Sequence, residues 1–206
     1  GDEAGTAITT GDNNSAVGYN AGAAVTTGGA NVAVGGNALS TITTTSSNTA
    51  VGYNSLAVST AANNTAVGRS SLLANTSGTA NVAVGADALA ANTTASNNTA
   101  VGFLAGAAVT TGTLNTLVGA NTGDAITTGF DNVAIGRSAL TTEDTGRKNV
   151  AIGSSALESQ NSDTDNLNVA VGFEAGKEVT TGIHNTLIGG LSGDALTDAD
   201  FNVAVG

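Results

Sequence analysis

Asn98-Thr99-Ala100-Val101-Gly102 is one copy of a five-residue phrase that recurs twelve times along the 206-residue chain. The first copy is Asn14-Ser15-Ala16-Val17-Gly18 and the last is Asn202-Val203-Ala204-Val205-Gly206. The closing glycines are Gly18, Gly35, Gly52, Gly68, Gly85, Gly102, Gly119, Gly136, Gly153, Gly172, Gly189 and Gly206. The opening asparagines are Asn14, Asn31, Asn48, Asn64, Asn81, Asn98, Asn115, Asn132, Asn149, Asn168, Asn185 and Asn202. The interval is 17 residues, except for 16 between Gly52 and Gly68 and 19 between Gly153 and Gly172. A fixed period of this size is the mark of stacked structural repeats. Residues 1–206 therefore read as a single repeat domain, an elongated solenoid in which each coil touches only its neighbours.

Composition supports a thin interior. Proline, cysteine, methionine and tryptophan are absent, and only two tyrosines and four phenylalanines occur. A globular core needs larger side chains to reach native packing density. Without cysteine there is neither a disulfide framework nor a thiolate metal site. The net charge of −11 opposes nucleic-acid binding, which needs clustered lysine and arginine. No apolar run is long enough for direct membrane insertion. Lacking an initiator methionine and a signal peptide, the sequence reads as a fragment of a longer chain.

Within the phrase, the residue before the glycine is always Val or Ile, and the one before that is Ala, or Leu at 117 and 187. Three such residues have strand propensity and are too few for a helix. Side chains alternate along a strand, so the Val/Ile position and the Ser/Thr/Val position two before it share a face. Size places Val/Ile inside the coil and the Ala/Leu position outside, on a face small enough for close packing against another chain. The glycine ends the strand at a turn that requires positive φ or close backbone approach.

A second apolar segment follows. Four residues after the motif glycine stands either Leu (39, 56, 72, 89, 140, 157) or Gly (22, 106, 123, 176, 193). Where it is Gly, an aliphatic residue comes three places later: Val25, Val109, Ile126, Val179 or Leu196. Gly5 and Ile8 repeat the pattern at the start. This is volume compensation, with one apolar plug per coil entering from either of two positions. An unfilled plug site would cost roughly 24 cal/mol per Å3 of cavity. Both irregular spacings fall in the polar loops of Leu-class coils, the side of a solenoid that tolerates insertion. Two apolar segments per coil suit a flattened β-roll, in which coils rising about 4.8 Å each make a rod roughly 58 Å long.

The chemistry expected of such a chain is structural. Stacked coils would align the twelve asparagines as a ladder, each amide bonding to the next or to turn backbone. His184 is the only histidine and has no partner residues in sequence that would make it a base or ligand. The serines lack a nucleophile-elbow phrase. The acids at Asp163, Asp165 and Asp194 to Asp200 follow no calcium-loop spacing and read as solvated loop residues. No catalytic, cofactor or metal site is expected, and the chain does not read as an enzyme. The residues after the motif glycines, including Tyr19, Tyr53, Phe103 and Phe173, are candidates either for contact with a partner or for covering the coil edge.

The pattern Asn-[Ser/Thr]-Ala-[Val/Ile]-Gly-x-x-Ala resembles the YadA-like head repeat of trimeric autotransporter adhesins, and the match runs through all twelve coils. Similar Asn-Thr-Ala-Val-Gly runs with Thr-Thr-Gly spacers resemble bacteriophage tail-fibre shafts and bacterial surface fibres. The period of seventeen is longer than that of the adhesin heads. The resemblance implies a left-handed parallel β-roll and a homotrimer, with the Ala/Leu face between subunits. It also implies an extracellular location, on a cell surface or in a virion tail fibre. The function expected is that of a structural or adhesive fibre segment, and the expected partner is a host-surface, matrix or glycan structure. In a different class stands an ice-binding solenoid, which would need threonine in register on consecutive coils.

Overall fold

The computed structural model describes residues 1–206. Every motif supplies one three-residue strand. The strands are β1 (Ser15–Val17), β2 (Val32–Val34), β3 (Thr49–Val51), β4 (Thr65–Val67), β5 (Val82–Val84), β6 (Thr99–Val101), β7 (Thr116–Val118), β8 (Val133–Ile135), β9 (Val150–Ile152), β10 (Val169–Val171), β11 (Thr186–Ile188) and β12 (Val203–Val205). They form one twelve-stranded sheet in sequential order, paired parallel and in register, as in Ala100↔Leu117 and Val101↔Val118. The fold is an all-β parallel solenoid. The 16- and 19-residue coils leave the register untouched, with Thr49 opposite Thr65 and Val150 opposite Val169. Their length difference is taken up in the loops, as the sequence indicates.

The second segment faces the sheet across the core but is built from turns. Its bends come from backbone in the left-handed region. In the coil that follows β5, φ is +138° at Gly85, +58° at Asp87, +48° at Leu89 and +61° at Asn97. Asparagine, aspartate and glycine enter this region readily, whereas leucine pays about 1–2 kcal/mol for it. Leu39, Leu56, Leu72, Leu89, Leu140 and Leu157 all adopt it, with φ between +48° and +53°, and all are fully buried. Burying a leucine contributes about 1.5–3 kcal/mol, enough to offset the strain.

One assignment from the sequence is reversed. The Ala/Leu position points into the core: Ala33, Ala50, Ala66, Ala83, Ala100, Leu117, Ala134, Ala151, Ala170 and Leu187 are buried. The Val/Ile position points out, and Val101 is only half-buried. The reason is the thinness of the roll. The facing turn segment already fills the interior with its plug, so the sheet can add only a methyl group beneath it.

The exceptions follow the same rule. Leu117 lies between the Gly106 and Gly123 coils, and Leu187 between the Gly176 and Gly193 coils. A Cβ on Gly106 would stand 2.7 Å from Leu117 Cδ1, and one on Gly123 2.8 Å from Leu117 Cδ2. Leu187 occupies the corresponding space beside Gly176 and Gly193. Two successive glycine coils thus leave a gap that a strand leucine fills.

Gly5 and Gly22 form a third such pair, but the strand residue between them is Ala16. There the core contains a cavity of about 10 Å3, lined in part by Ile8, Ala16, Gly22, Val25 and Ala33. Ala16→Leu is expected to raise stability by about 0.5–2 kcal/mol, the usual range for cavity filling. Ala100→Leu should lose about 1–3 kcal/mol by overpacking, because Leu89 already reaches to 3.0 Å from a Cβ placed on Gly106. Thermal melts of the two variants beside the parent check both signs.

Candidate functional surfaces

The asparagines form the expected ladder, with bonds that run mainly between side chain and backbone. At all eleven steps the Oδ1 of one motif asparagine accepts the backbone N–H of the next, at 2.8–3.3 Å. The Nδ2 group donates to a loop carbonyl of the following coil, as from Asn98 to Gly112 O at 2.8 Å. Asn31 to Asn185 are buried throughout the ladder. Asn149 is the exception in bonding: it meets the 19-residue coil, makes no such carbonyl bond, and holds Asn168 N–H at 3.3 Å. The motif glycines adopt φ from +125° to +151°. A Cβ on Gly102 would strike the carbonyl of Gly119 in the next coil, so conformation and stacking both demand glycine there.

The outer sheet face carries two columns, one from each end of every strand. Of these twenty-four positions, all but Ser15 hold Val, Ile or Thr, and none holds a charge. The side chains range from half-buried to exposed, with Ile135 at 38% and Ile188 at 41%. Wet strand faces normally mix in charged residues, and this one, of Val, Ile and Thr, has none over its whole length.

A third column runs beside the loops. Thr9, Thr26, Thr43, Thr60, Thr76, Thr93, Thr110 and Thr127 lie on eight successive coils. Most of their hydroxyls donate to the equivalent carbonyl one coil on, as from Thr76 to Thr93 O at 2.9 Å and from Thr110 to Thr127 O at 3.2 Å. The column includes Leu-class coils, where the Thr-Thr-Gly spacer is lost and the sequence gives little sign of it.

Sequence reasoning also missed a set of buried polar residues. In Leu-class coils the position three after the leucine points inward, just as Val109 does in its own class. It holds Ser59, Asn75, Asn92, Glu143 or Gln160, all fully buried, with Ile42 as the apolar exception. Asn75 and Asn92 each bond both ways to the backbone three residues on, at Gly78 and Ala95. The signal was positional, since these residues share a register with the aliphatic plugs.

Glu143 is the one acid in this set. Its Oε1 accepts Gly146 N–H at 2.7 Å and Asp144 N–H at 3.1 Å, while Oε2 accepts Asn166 Nδ2 at 2.7 Å. Burial raises its carboxyl above the ordinary glutamate value, and these hydrogen bonds oppose the rise only in part. Burial also raises Asp124. Asp165 goes the other way, held low chiefly by the hydrogen bond from Lys148 at 2.6 Å.

The remaining candidates sit in the loops. His184 is exposed and stacks on Phe201 with ring centroids 4.8 Å apart. Asp163 accepts the Thr145 hydroxyl, Asp165 pairs with Arg147 and Lys148, and Asp200 accepts Ile183 N–H. No three acidic or histidine side chains converge on a common point. The chain matches no protein-family model, and no curated protein or solved structure is significantly similar to it.

Because the folded state raises Glu143, it holds the proton more tightly than the unfolded chain, and stability falls as pH rises from the ordinary glutamate value through the raised one. Glu143→Gln should remove that slope and raise the melting temperature at neutral pH. The new amide N–H2 would face Asn166, whose buried Oδ1 has no partner and can turn to accept it. Melting the parent and variant across pH 4–8 checks this, and a flat parent profile would overturn it.

Proposed function

We propose that this chain is a segment of an extracellular structural and adhesive fibre, working as a homotrimer in the shaft or head of a surface adhesin. The observation that carries the proposal is the uncharged, β-branched outer sheet face, continuous over twelve coils. Such a face is costly in water, and packing it against copies of itself would bury a long apolar strip on every chain. Cyclic symmetry closes the contact without leaving an open face. The repeat phrase, with its resemblance to adhesin heads, points the same way. A bacteriophage tail-fibre shaft uses the same architecture and is the nearest alternative, with the virion in place of the cell surface. No nucleic-acid partner, cofactor or catalytic role belongs to this reading.

The subunit contact accordingly moves from the Ala/Leu face, which fills the core, to the Val/Ile face. A second reading, ice binding, draws on the threonine column over eight coils. It ranks lower because most of those hydroxyls are already committed to carbonyls of the next coil. Thermal hysteresis of a concentrated solution separates the two readings.

Sedimentation equilibrium of the parent should give three times the chain mass. Val101→Asp together with Ile135→Asp should sediment as a monomer with its circular dichroism retained, at a cost of about 1 kcal/mol per strand position. Ala100→Arg should instead unfold the central coils, because it forces an unpaired charge into the core. A parent that stays monomeric at high concentration would sink the trimer, and a trimer unmoved by the two aspartates would sink this choice of face.

A further inference from the structure

We infer that the glycine-turn edge of the first three motif coils is a platform for an extended, uncharged polysaccharide lying along the rod. This rests on the adhesive part of the function proposed above and names its ligand class. The residue after each motif glycine forms a row on that edge, and Tyr19 and Tyr53 stand in it two coils apart with 60% and 58% of their surface exposed. Gly36 stands between them, and the Tyr53 ring rests against it, with Cδ2 3.2 Å and Cε2 3.6 Å from the place a Cβ would take. The two tyrosines thus spring from alternate coils of one row, and the Tyr53 ring covers the bare backbone at Gly36 between them.

Beside the rings runs a second row, from the next residue of each coil. Asn20 Nδ2 donates to Asn37 Oδ1 at 3.1 Å, and Asn37 Nδ2 donates to Asn54 Oδ1 at 3.0 Å. All three are held in the left-handed region, with φ of 56–58°, which fixes the side chains along the edge. The chain of amides ends in an acceptor at Asn20 Oδ1 and a donor at Asn54 Nδ2, both without a protein partner. Flat apolar ring faces beside oriented amides suit a sugar, whose C–H faces stack and whose hydroxyls both donate and accept.

Charge narrows the class. No acidic or basic residue occurs between Asp12 and Arg69, and the coil stacked before Tyr19 and Asn20 brings the acids Asp2 and Glu3 to that end of the rows. The patch is therefore neutral within and acidic at one end, which disfavours sulfate, phosphate or carboxylate groups. It ends where Arg69 pairs with Asp87. Aromatic residues return in the same row only at Phe103 and Phe173, singly and without the amide chain.

Tyr19 and Tyr53 are the only tyrosines and there is no tryptophan, so intrinsic fluorescence excited in the tyrosine band reports on this patch alone. Titrating the chain with hydroxyethylcellulose should change that emission saturably, to the same degree at low and high salt. In native gels containing the polysaccharide, Tyr19→Ala and Tyr53→Ala should each weaken retardation roughly tenfold. Phe103→Ala should leave it unchanged, with circular dichroism confirming all three folds. An absent response would overturn the inference. So would retardation insensitive to both tyrosines, or binding seen only with dextran sulfate and lost in salt. Sedimentation on the same samples keeps the outcomes apart, since a monomer that binds the polysaccharide refutes the trimer and leaves the platform standing.

Discussion

The interior of each coil is narrow, taking one large apolar side chain from the turn side in all but the Leu39–Ile42 coil, and most of the sequence follows from that limit. The plug comes from the turn side, as Leu89 in one class of coil or Val109 in the other. The sheet then presents alanine beneath it. Only where two glycine coils adjoin does the sheet supply a leucine, as at Leu117 and Leu187. Even the strained left-handed leucines fit this pattern, since their backbone conformation aims the side chain into the narrow interior.

So thin a core cannot hold the backbone apart from water by itself, and polar groups close the remainder. The Oδ1 of each motif asparagine takes up a backbone N–H of the next coil, and leaving such a buried group unmade costs about 1–3 kcal/mol. Asn75, Asn92 and Glu143 satisfy loop backbone in the same manner from within the plug register. Hydrogen bonding here is the scaffold on which the apolar contacts are spaced. The glycine turn completes it, because any side chain at Gly102 would push the coils apart.

Much of this was legible in the residues. The period gave the solenoid, the three-residue apolar run gave the strand, and the exchange between Leu89-type and Val109-type plugs gave the second wall. The inward face was misread because size was taken as the guide to burial: Val101 is larger than Ala100 but faces out. The correct cue was present in Leu117 and Leu187, which replace alanine only between paired glycine coils and so must share the space those glycines vacate. The threonine column and the buried Glu143 were harder to see. Both depend on aligning loops of unlike sequence, where register is carried by the fold and not by a repeated phrase.

The stretched rung between Asn149 and Asn168 has a mechanical meaning. In a stack where each coil is held only by its neighbours, cohesion is the sum of the separate junctions. The 19-residue coil keeps its strands paired, but its ladder gives up the bond from Asn149 Nδ2 to a loop carbonyl and lengthens the one from Asn168 N–H to Asn149 Oδ1. The same junction gains other ties, from Asn166 Nδ2 to Glu143 Oε2 and from Arg147 and Lys148 to Asp165. The long loop therefore shifts cohesion at this junction from the buried ladder toward ion pairs near the surface, so that salt weakens it more than its neighbours.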